Sequence, residues 1–308
     1  MLPTRLVRDA HTPPGRWGVD AAAQAAYQAA LAGGGAALCV LGGGSVHDTN
    51  PGPVPVHTDD ATAGLRVVAE AVHAAGGRVV LQLRHSGSAK LGADRVPPWS
   101  CSAVPHPNLG VVPRPMPTAV IADVVAGFAA AARRVRAGGF DGVEIHGASG
   151  YLVNQFLSPA TNHRTDAYGG TTANRTRFLA EILDAVRGAV GEELVVGVRL
   201  TAEEGFERGL HPTESARIAA AVAGTVDYVH VAYGGSGARA EISPGFGDLD
   251  ARRRAQAMVG AAVAVPVVAG GGVRTVAEAD ELVSTGVCDL VAMTRAFVAD
   301  PAAGRASA

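Results

Sequence analysis

A histidine and a tyrosine that lie five residues apart are the first side chains in this sequence whose types suggest catalysis. His146 follows the apolar run 143–145, and Tyr151 comes after Gly147 and Gly150. An imidazole can hold a substrate oxygen by a hydrogen bond, and a tyrosine hydroxyl, which is protonated at neutral pH, can deliver a proton. We predict that His146 emerges at the rim of a strand and forms a catalytic pair with Tyr151. A tyrosine that merely closes the loop fits the same spacing.

Two glycine-containing segments near the C-terminal end could bind an anion. Residues 267–275 are an apolar run followed by three glycines and the start of a helix, and residues 292–296 repeat this order with Thr294 and Arg295. Open backbone N–H groups at such a turn attract phosphate, and barrel enzymes often bind phosphate after their last two strands. We therefore predict a phosphate site, whereas glycines that serve only tight turns are the alternative.

The elements that must position these residues form a regular alternation of short apolar runs and longer alanine-rich segments. Continuous apolar runs are typical of parallel strands that are buried on both faces. Eight strand–helix repeats favour an α/β fold of the (β/α)₈ TIM barrel type in a single domain, residues 1–308, with an open doubly wound sheet as the alternative. The predicted strands are 6–7, 37–41, 79–83, 142–145, 194–200, 226–231, 266–269 and 289–293, and the predicted helices are 21–32, 61–75, 121–137, 174–190, 212–223 and 276–284.

Local signals support several of these boundaries. Asp60 and Thr275 precede predicted helices as candidate N-caps, and Pro212 suits a first helical position. The segments 85–117 and 233–250 lack helical periodicity and follow predicted strands, so we predict long loops at the end of the barrel where active sites lie.

Composition restricts the class of protein. The chain has 308 residues, 48% hydrophobic and 18% charged, with a net charge of −2. These values favour one large core and give no electrostatic reason to expect nucleic acid or membrane partners. The three cysteines, Cys39, Cys101 and Cys288, form no metal-binding or iron–sulfur pattern. Since the first residues also lack a secretion signal, we expect a cytoplasmic protein that acts on a small molecule.

The segment 143–187 carries a long ordered motif. Its residues are His146, Gly150, Tyr151, Leu152, Gln155, Phe156, Leu157, Pro159, Asn162, Arg164, Asp166, Tyr168, Gly169, Gly170, Asn174 and Arg175. With this motif the segment resembles the old yellow enzyme family of FMN-dependent oxidoreductases. The resemblance extends from about Arg5 to Pro301, and in detail it is similar to the branch that contains dienoyl-CoA reductases and amine dehydrogenases or demethylases.

This resemblance implies FMN as cofactor, NAD(P)H as electron donor, and roles for several residues outside the motif. The end of the first strand would run along the flavin, with Thr12 near its N5 atom. Gln82 would bind the pyrimidine edge, and Arg199 would support negative charge on the reduced ring. The implied cofactor-binding residues are Ala10, His11, Thr12, Gly43, Gln82, Arg199, Gly271, Gly272, Thr294 and Arg295, and the implied substrate-binding residues are His146, Ser149 and Tyr233.

The sequence departs from the family pattern in three places. Ser149 stands where the family has Asn or His as a second substrate donor, and Gly42 stands where relatives often carry an acidic residue. Both ends are short for the family, which fits either a minimal barrel or a segment of a longer protein. Apolar surface exposed by missing terminal elements would favour a homo-oligomer.

The leading functional hypothesis is hydride transfer from reduced flavin to an activated C=C bond, with Tyr151 as proton donor. One alternative is flavin-dependent oxidation, either amine demethylation or desaturation, which the altered residue Ser149 keeps open. The other is a flavin-free barrel that uses His146 and Tyr151 for non-redox chemistry.

Overall fold

A closed barrel of eight parallel strands forms the centre of the molecule. The computed structural model describes residues 2, 4–11, 21–90, 96–107, 109–206, 208–234 and 248–305. The strands are β1 Leu6–His11, β2 Leu38–Ser45, β3 Arg78–Arg84, β4 Gly142–Gly147, β5 Val195–Thr201, β6 Tyr228–Ala232, β7 Val267–Gly270 and β8 Leu290–Ala292. Around the barrel they follow the order β1–β8–β7–β6–β5–β4–β3–β2, so the prediction of a (β/α)₈ barrel is confirmed and an open sheet is excluded.

Helices pack on the outside of the barrel because their apolar faces cover the outward side chains of the strands. The helices are α1 Ala21–Gly33, α2 Ala61–Ala74, α3 Thr118–Ala137, α4 Leu152–Leu157, α5 Thr172–Val190, α6 Pro212–Val222, α7 Leu249–Gly260, α8 Val276–Ser284 and α9 Thr294–Ala299. Of these, α4, α7 and α9 are additional to the six helices named from the sequence.

Two of the three predicted helix starts agree with the structure. The Thr275 hydroxyl accepts a hydrogen bond from the backbone N–H of Glu278, and Pro212 is the first residue of α6. Asp60 directly precedes α2 but makes no capping hydrogen bond through its side chain, and its own backbone is already helical. An aspartate in that conformation does not have the extended backbone from which a cap side chain reaches the first turn.

The strand boundaries change one prediction about the site. β4 continues to Gly147, so His146 lies inside a strand and is only 4% exposed. His146 pairs in register with Arg199 on β5, which in turn pairs with His230 on β6. His146 therefore does not stand at an open rim; it belongs to a layer of polar side chains that neighbouring strands hold at one height in the barrel.

A second polar layer lies two residues earlier along the strands. Gln82 on β3 pairs in register with Glu144 on β4, and Glu144 pairs with Gly197 on β5. Gly197 in turn pairs with Tyr228 on β6. A Cβ atom at Gly197 would lie 2.1 Å from the Tyr228 ring. Because Gly197 has no side chain, the Tyr228 ring can extend over β5 and reach Glu144 on β4.

The long segment after β3 contains more structure than a loop. Its described residues include a short 3₁₀ helix, Gly87–Ala89, and two short strands, Trp99–Ser100 and Arg114–Pro115, which pair with each other. Among the described residues, no helix is long and apolar enough to cross a membrane.

Candidate active site

A cavity of about 310 Å³ opens where the carboxyl ends of the strands meet. Its volume is that of a small ligand pocket, and its lining comes from β1, β5, β6, β7 and β8, from the segments after β6, β7 and β8, and from the turn after β4. The lining residues are Asp9, Ser149, Arg199, His230, Val231, Ala232, Tyr233, Arg252, Gly270, Gly271, Gly272, Val273, Ala292, Thr294 and Arg295.

One end of the cavity has the character of an anion site. Gly271 and Gly272 both have left-handed backbones, with φ of +97° and +90°, a conformation that glycine adopts without strain. Thr294 and Arg295 reach the same cavity from the segment after β8. The structure therefore brings together the four residues that the sequence suggested for phosphate.

A further cation at this end was missed by the sequence reasoning. Arg252 lies on α7, is 5% exposed, and lines the cavity beside Gly271. Burial lowers the pKa of the Arg252 guanidinium, and the nearby Arg295 charge lowers it further. Two guanidinium groups that repel each other next to a glycine turn are typical of a site that receives a doubly charged anion. The only sequence signal was the run Arg252–Arg254, which the helix pattern did not single out.

The opposite end of the cavity is formed by charged groups that meet across the barrel. The Arg199 guanidinium on β5 donates a hydrogen bond of 2.8 Å to the Asp9 carboxylate on β1, and these strands lie on opposite sides of the barrel. The Nε2 atom of His230 lies 3.9 Å from the same carboxylate oxygen. The sequence reasoning named Arg199 but neither Asp9 nor His230.

Glu144, in the second polar layer, is the buried carboxylate to which residues at this end of the cavity are bonded. Its carboxylate accepts hydrogen bonds from the Gln82 amide at 2.7 Å and the Tyr228 hydroxyl at 3.0 Å, and lies 3.0 Å from His230 Nδ1. Burial alone would raise its pKa, but His230 and Arg199 lower it to about 2. Glu144 is therefore a fixed negative charge, and Gln82 is oriented by that charge.

His146 and Tyr151 lie against each other. Neither is among the residues that line the cavity, but His146 pairs in register with Arg199, which does line it. Their ring centroids are 4.7 Å apart and the rings are tilted by 59°. Burial is the main cause that places the pKa of His146 well below its ordinary value, and Arg199 acts in the same direction. His146 is therefore neutral at neutral pH. The Arg84 guanidinium lies 5.5 Å from the centre of the Tyr151 ring.

A sharp turn places Tyr151 over His146. Ser149 and Gly150 both have left-handed backbones, with φ of 59° and 73°. The backbone N–H of Ser149 donates to the Thr201 hydroxyl at 3.2 Å, and that of Gly150 donates to the Asn154 side chain at 2.6 Å. These bonds hold a conformation that is uncommon for a residue other than glycine, and Tyr151 then directly precedes α4.

Of the remaining site residues from the sequence reasoning, Tyr233 lines the cavity and Ala10 and His11 do not. The Arg252 guanidinium lies 5.3 Å from the centre of the Tyr233 ring. Ala10 and His11 end β1, but the imidazole of His11 contacts Arg8 Nη1 at 2.8 Å and the Tyr27 hydroxyl at 3.0 Å. Thr12 lies outside the described residues.

The end of β2 approaches its neighbours too closely for side chains. Gly43 has φ of +94°, and a Cβ atom there would lie 3.0 Å from Pro53. At Gly42 a Cβ atom would lie 2.8 Å from the His11 carbonyl oxygen. The absence of a side chain at Gly42 therefore allows β1 and β2 to pack against each other.

The donor groups of the cavity fit FMN. One end offers a glycine turn and two cations to a phosphate, and the other end offers Arg199. In the part of the chain that the structure describes, Arg199 Nε and His146 Nδ1 are buried and have no hydrogen-bond partner. Buried polar atoms of this kind are normally satisfied, so a ligand with hydrogen-bonding atoms is expected between them. FMN carries both the phosphate and such a ring.

Comparisons with known proteins give the same answer. The NADH:flavin oxidoreductase / NADH oxidase family matches residues 5–305. An NADPH dehydrogenase from Clostridium acetobutylicum is 35% identical over 240 residues, which are 77% of this chain and 69% of that protein. A multifunctional alkene reductase/demethylase from Caballeronia cordobensis is 34% identical over 290 residues, which are 89% of this chain and 42% of that protein. This chain therefore spans less than half the length of the second relative.

A solved structure supports the relationship in three dimensions. A morphinone reductase variant in complex with tetrahydroNAD superposes with a TM-score of 0.85 at 28% identity, covering 99% of this chain and 86% of the other. The resemblance inferred from the motif of residues 146–175 is thus confirmed, and with it the FMN cofactor and the nicotinamide donor. The chain belongs to the NADH:flavin oxidoreductase / NADH oxidase family and is an FMN-dependent oxidoreductase of the old yellow enzyme type.

Proposed function

We propose that this chain reduces an activated C=C bond and that Tyr151 is its proton donor. The observation that carries the proposal is the position of the Tyr151 ring against His146, 4.7 Å between centroids, beside a cavity whose far end can hold a phosphate. FMN, when bound, supplies the hydride that the reaction needs. The residue roles given below are part of the same proposal.

His146 and Ser149 hold and polarise the substrate in this proposal. A neutral imidazole can donate one hydrogen bond to a substrate carbonyl without a change of charge. Ser149 lines the cavity on a turn fixed by Thr201. Tyr233 lines the cavity near the phosphate end and so is proposed as a further contact rather than a catalytic group.

Tyr151 moves the proton in this proposal. Its hydroxyl can give a proton to the carbon next to the one that accepts hydride, and the Arg84 guanidinium lies 5.5 Å from the centre of its ring. General acid catalysis of this kind typically contributes about 10²–10⁴-fold in rate.

Exchanging Tyr151 for phenylalanine tests the proposal. We expect Tyr151→Phe to slow the reoxidation of reduced enzyme by an unsaturated ketone about 10²–10⁴-fold, while reduction of the flavin by NAD(P)H keeps its rate. The two half-reactions are measured separately by stopped-flow absorbance. Equal losses in both half-reactions would show that Tyr151 supports the fold or the cofactor instead.

A second candidate function runs the same site in the oxidative direction. Ser149 favours it, because the site then lacks the longer second donor that grips a carbonyl in the family pattern. The Caballeronia relative is described as both an alkene reductase and a demethylase. Mixing the oxidised holoenzyme with N-methylated amines in the absence of nicotinamide distinguishes the two functions, since only an amine oxidation would bleach the flavin. The flavin-free alternative has lost its support, because the family is one of flavin enzymes.

The proposal also includes the setting of the reaction. A small-molecule substrate fits the cavity volume of about 310 Å³. The three cysteines are free and buried, which suits a reducing compartment such as the cytoplasm. We also propose that residues 1–308 form a single domain and that the protein self-associates into a homo-oligomer. Sedimentation of the purified holoenzyme tests the self-association.

A further inference from the structure

Asp9 places a negative charge at the end of the cavity that contains Arg199, the cation expected to contact the flavin ring. Its carboxylate accepts a 2.8 Å hydrogen bond from Arg199 Nη1 and is only 15% exposed. The two residues are 190 positions apart and their strands face each other across the barrel. The pair therefore spans the barrel as part of the cavity lining.

This contact changes what Arg199 can do for a ligand. A guanidinium that is paired with a carboxylate presents a much smaller net positive charge to a third group, and the effect is larger in a site that excludes water. Arg199 Nε is still buried without a partner among the described residues. Arg199 can thus donate a hydrogen bond to the cofactor ring while Asp9 offsets most of its charge.

The other ionisable groups near Arg199 have partners of their own. Glu144 is a second buried carboxylate whose pKa is lowered to about 2, although burial alone would raise it, and it lies 3.0 Å from His230. His146, the in-register neighbour of Arg199, is neutral because burial and Arg199 lower its pKa. Arg8 donates to the Asp9 carbonyl oxygen and contacts His11, so Arg199 is the guanidinium that binds the Asp9 carboxylate.

We propose that Asp9 is a positioning residue that lowers the reduction potential of the bound FMN by offsetting the charge of Arg199. Reduction adds negative charge to the flavin ring, and a fixed cation at the ring stabilises that charge. With Asp9 in place the stabilisation is weaker, so the reduced cofactor is a stronger hydride donor. The inference rests on the FMN site but not on the identity of the substrate.

Replacement of the carboxylate by an isosteric amide tests this role. We expect Asp9→Asn to raise the midpoint potential of the bound FMN by about 30 mV, which corresponds to a tenfold change in the equilibrium constant for two-electron reduction. The potential is measured on the holoenzyme by equilibrium with a reference dye under anaerobic conditions. By linkage, the ratio of the dissociation constants for oxidised and reduced FMN changes tenfold as well.

Three further variants make the result decisive. Asp9→Glu keeps the charge, and we expect it to keep a potential nearer to that of the original protein. Asp184→Asn removes a carboxylate from the exposed face of α5 and leaves the potential unchanged. In an Arg199→Met background, Asp9→Asn produces a much smaller shift, because the charge that Asp9 offsets is gone.

Two outcomes would overturn the inference. An Asp9→Asn holoenzyme with an unchanged or lower potential would mean that Asp9 does not offset Arg199 in the presence of FMN. A shift of equal size with and without Arg199 would mean that Asp9 acts on the ring without this partner. Neither measurement uses an alkene or an amine, so a failure of the proposed reaction leaves this test intact.

Discussion

At the scale of single residues, some groups of the site can be identified from sequence motifs and others only from their positions in the structure. His146, Tyr151 and Arg199 belong to recognisable segments of sequence. Asp9 and Arg252 do not, yet one binds Arg199 and the other lies beside the glycine turn. A charged residue in a sequence is most often a solvated surface group, so neither could be separated from the other 52 charged side chains without coordinates.

The role of Arg252 can be tested by comparing two flavins. We expect Arg252→Met to weaken FMN binding about 10- to 100-fold, because a hydrogen bond between charged groups is worth about 1.5–3 kcal/mol. Riboflavin lacks the phosphate, so its affinity stays unchanged. Dissociation constants follow from the quenching of flavin fluorescence on binding.

The neighbouring arginine on the same helix supplies the control. Arg254 is exposed and pairs with Asp248 at 3.3 Å, and Arg254→Met is expected to leave both affinities unchanged. If Arg252→Met weakened riboflavin binding as strongly as FMN binding, Arg252 would be supporting the loop and not the phosphate.

At the scale of elements, most of the family motif forms a scaffold and not a site. The Arg164 guanidinium donates to the carbonyl oxygens of Cys101 and Met116 at 3.0 and 2.8 Å. The Asn162 amide donates to those of Phe156 and Tyr168, both at 2.7 Å. The Arg164 bonds tie the segment after α4 to the long segment after β3, and the Asn162 bonds tie it to α4 itself. They fix α4, and through it the turn that carries Tyr151.

Arg175 at the start of α5 is the strongest of these ties. It is 7% exposed, its Nε donates to the Leu157 carbonyl oxygen at 2.9 Å, and its guanidinium pairs with Glu214 on α6. Leaving a buried acceptor without its donor typically costs about 1–3 kcal/mol, and Glu214 is itself 21% exposed. We expect Arg175→Met to lower the free energy of unfolding by that amount and to slow alkene reduction by displacing α4.

Chemical denaturation of the FMN-saturated protein measures this loss. Arg177 lies two residues later on α5 and is exposed, so Arg177→Met should change the free energy of unfolding by less than about 0.5 kcal/mol. Similar effects of the two substitutions would argue against the scaffold interpretation.

At the scale of the whole molecule, the barrel buries ionisable groups in forms fixed by their surroundings. His85 is 2% exposed and accepts a hydrogen bond from the Gly87 backbone N–H at 3.0 Å. Burial, with help from nearby cations, lowers the pKa of His85 to about 3. His146 is shifted in the same direction. Both are neutral in the folded state and take up protons near pH 6.5 once the chain unfolds.

The stability of the protein should therefore depend on pH well above the range of carboxylates. Below pH 6.5 the unfolded chain binds protons that the folded chain does not, so stability present at higher pH is lost as the pH falls. We expect His85 to contribute a loss of about 1.4 kcal/mol per pH unit between pH 6 and 4, and His146 to add a loss in the same direction. Denaturation with saturating FMN at a series of pH values measures it.

Substitution of His85 isolates its share of the pH dependence. His85→Gln keeps an acceptor for the Gly87 N–H and cannot titrate, so the slope should fall by about 1.4 kcal/mol per pH unit. A slope that is the same with and without His85 would show that this group is protonated in the folded state.

The sequence by itself determined the barrel and its family. Eight apolar runs separated by helical segments identify parallel strands, because strands covered on both faces need continuous apolar residues. The motif of residues 146–175 identified the flavin enzyme. These are signals carried by neighbouring residues in the chain, which is why they could be read without coordinates.

The tertiary structure alone decided which charges meet. Asp9 and Arg199 become partners only because closure of the barrel sets β1 opposite β5, and Glu144 acquires its partners from β3 and β6. The same closure extends β4 past His146 and buries it. Electrostatic interactions depend on distances through space, and the distances across a barrel are independent of separation along the chain.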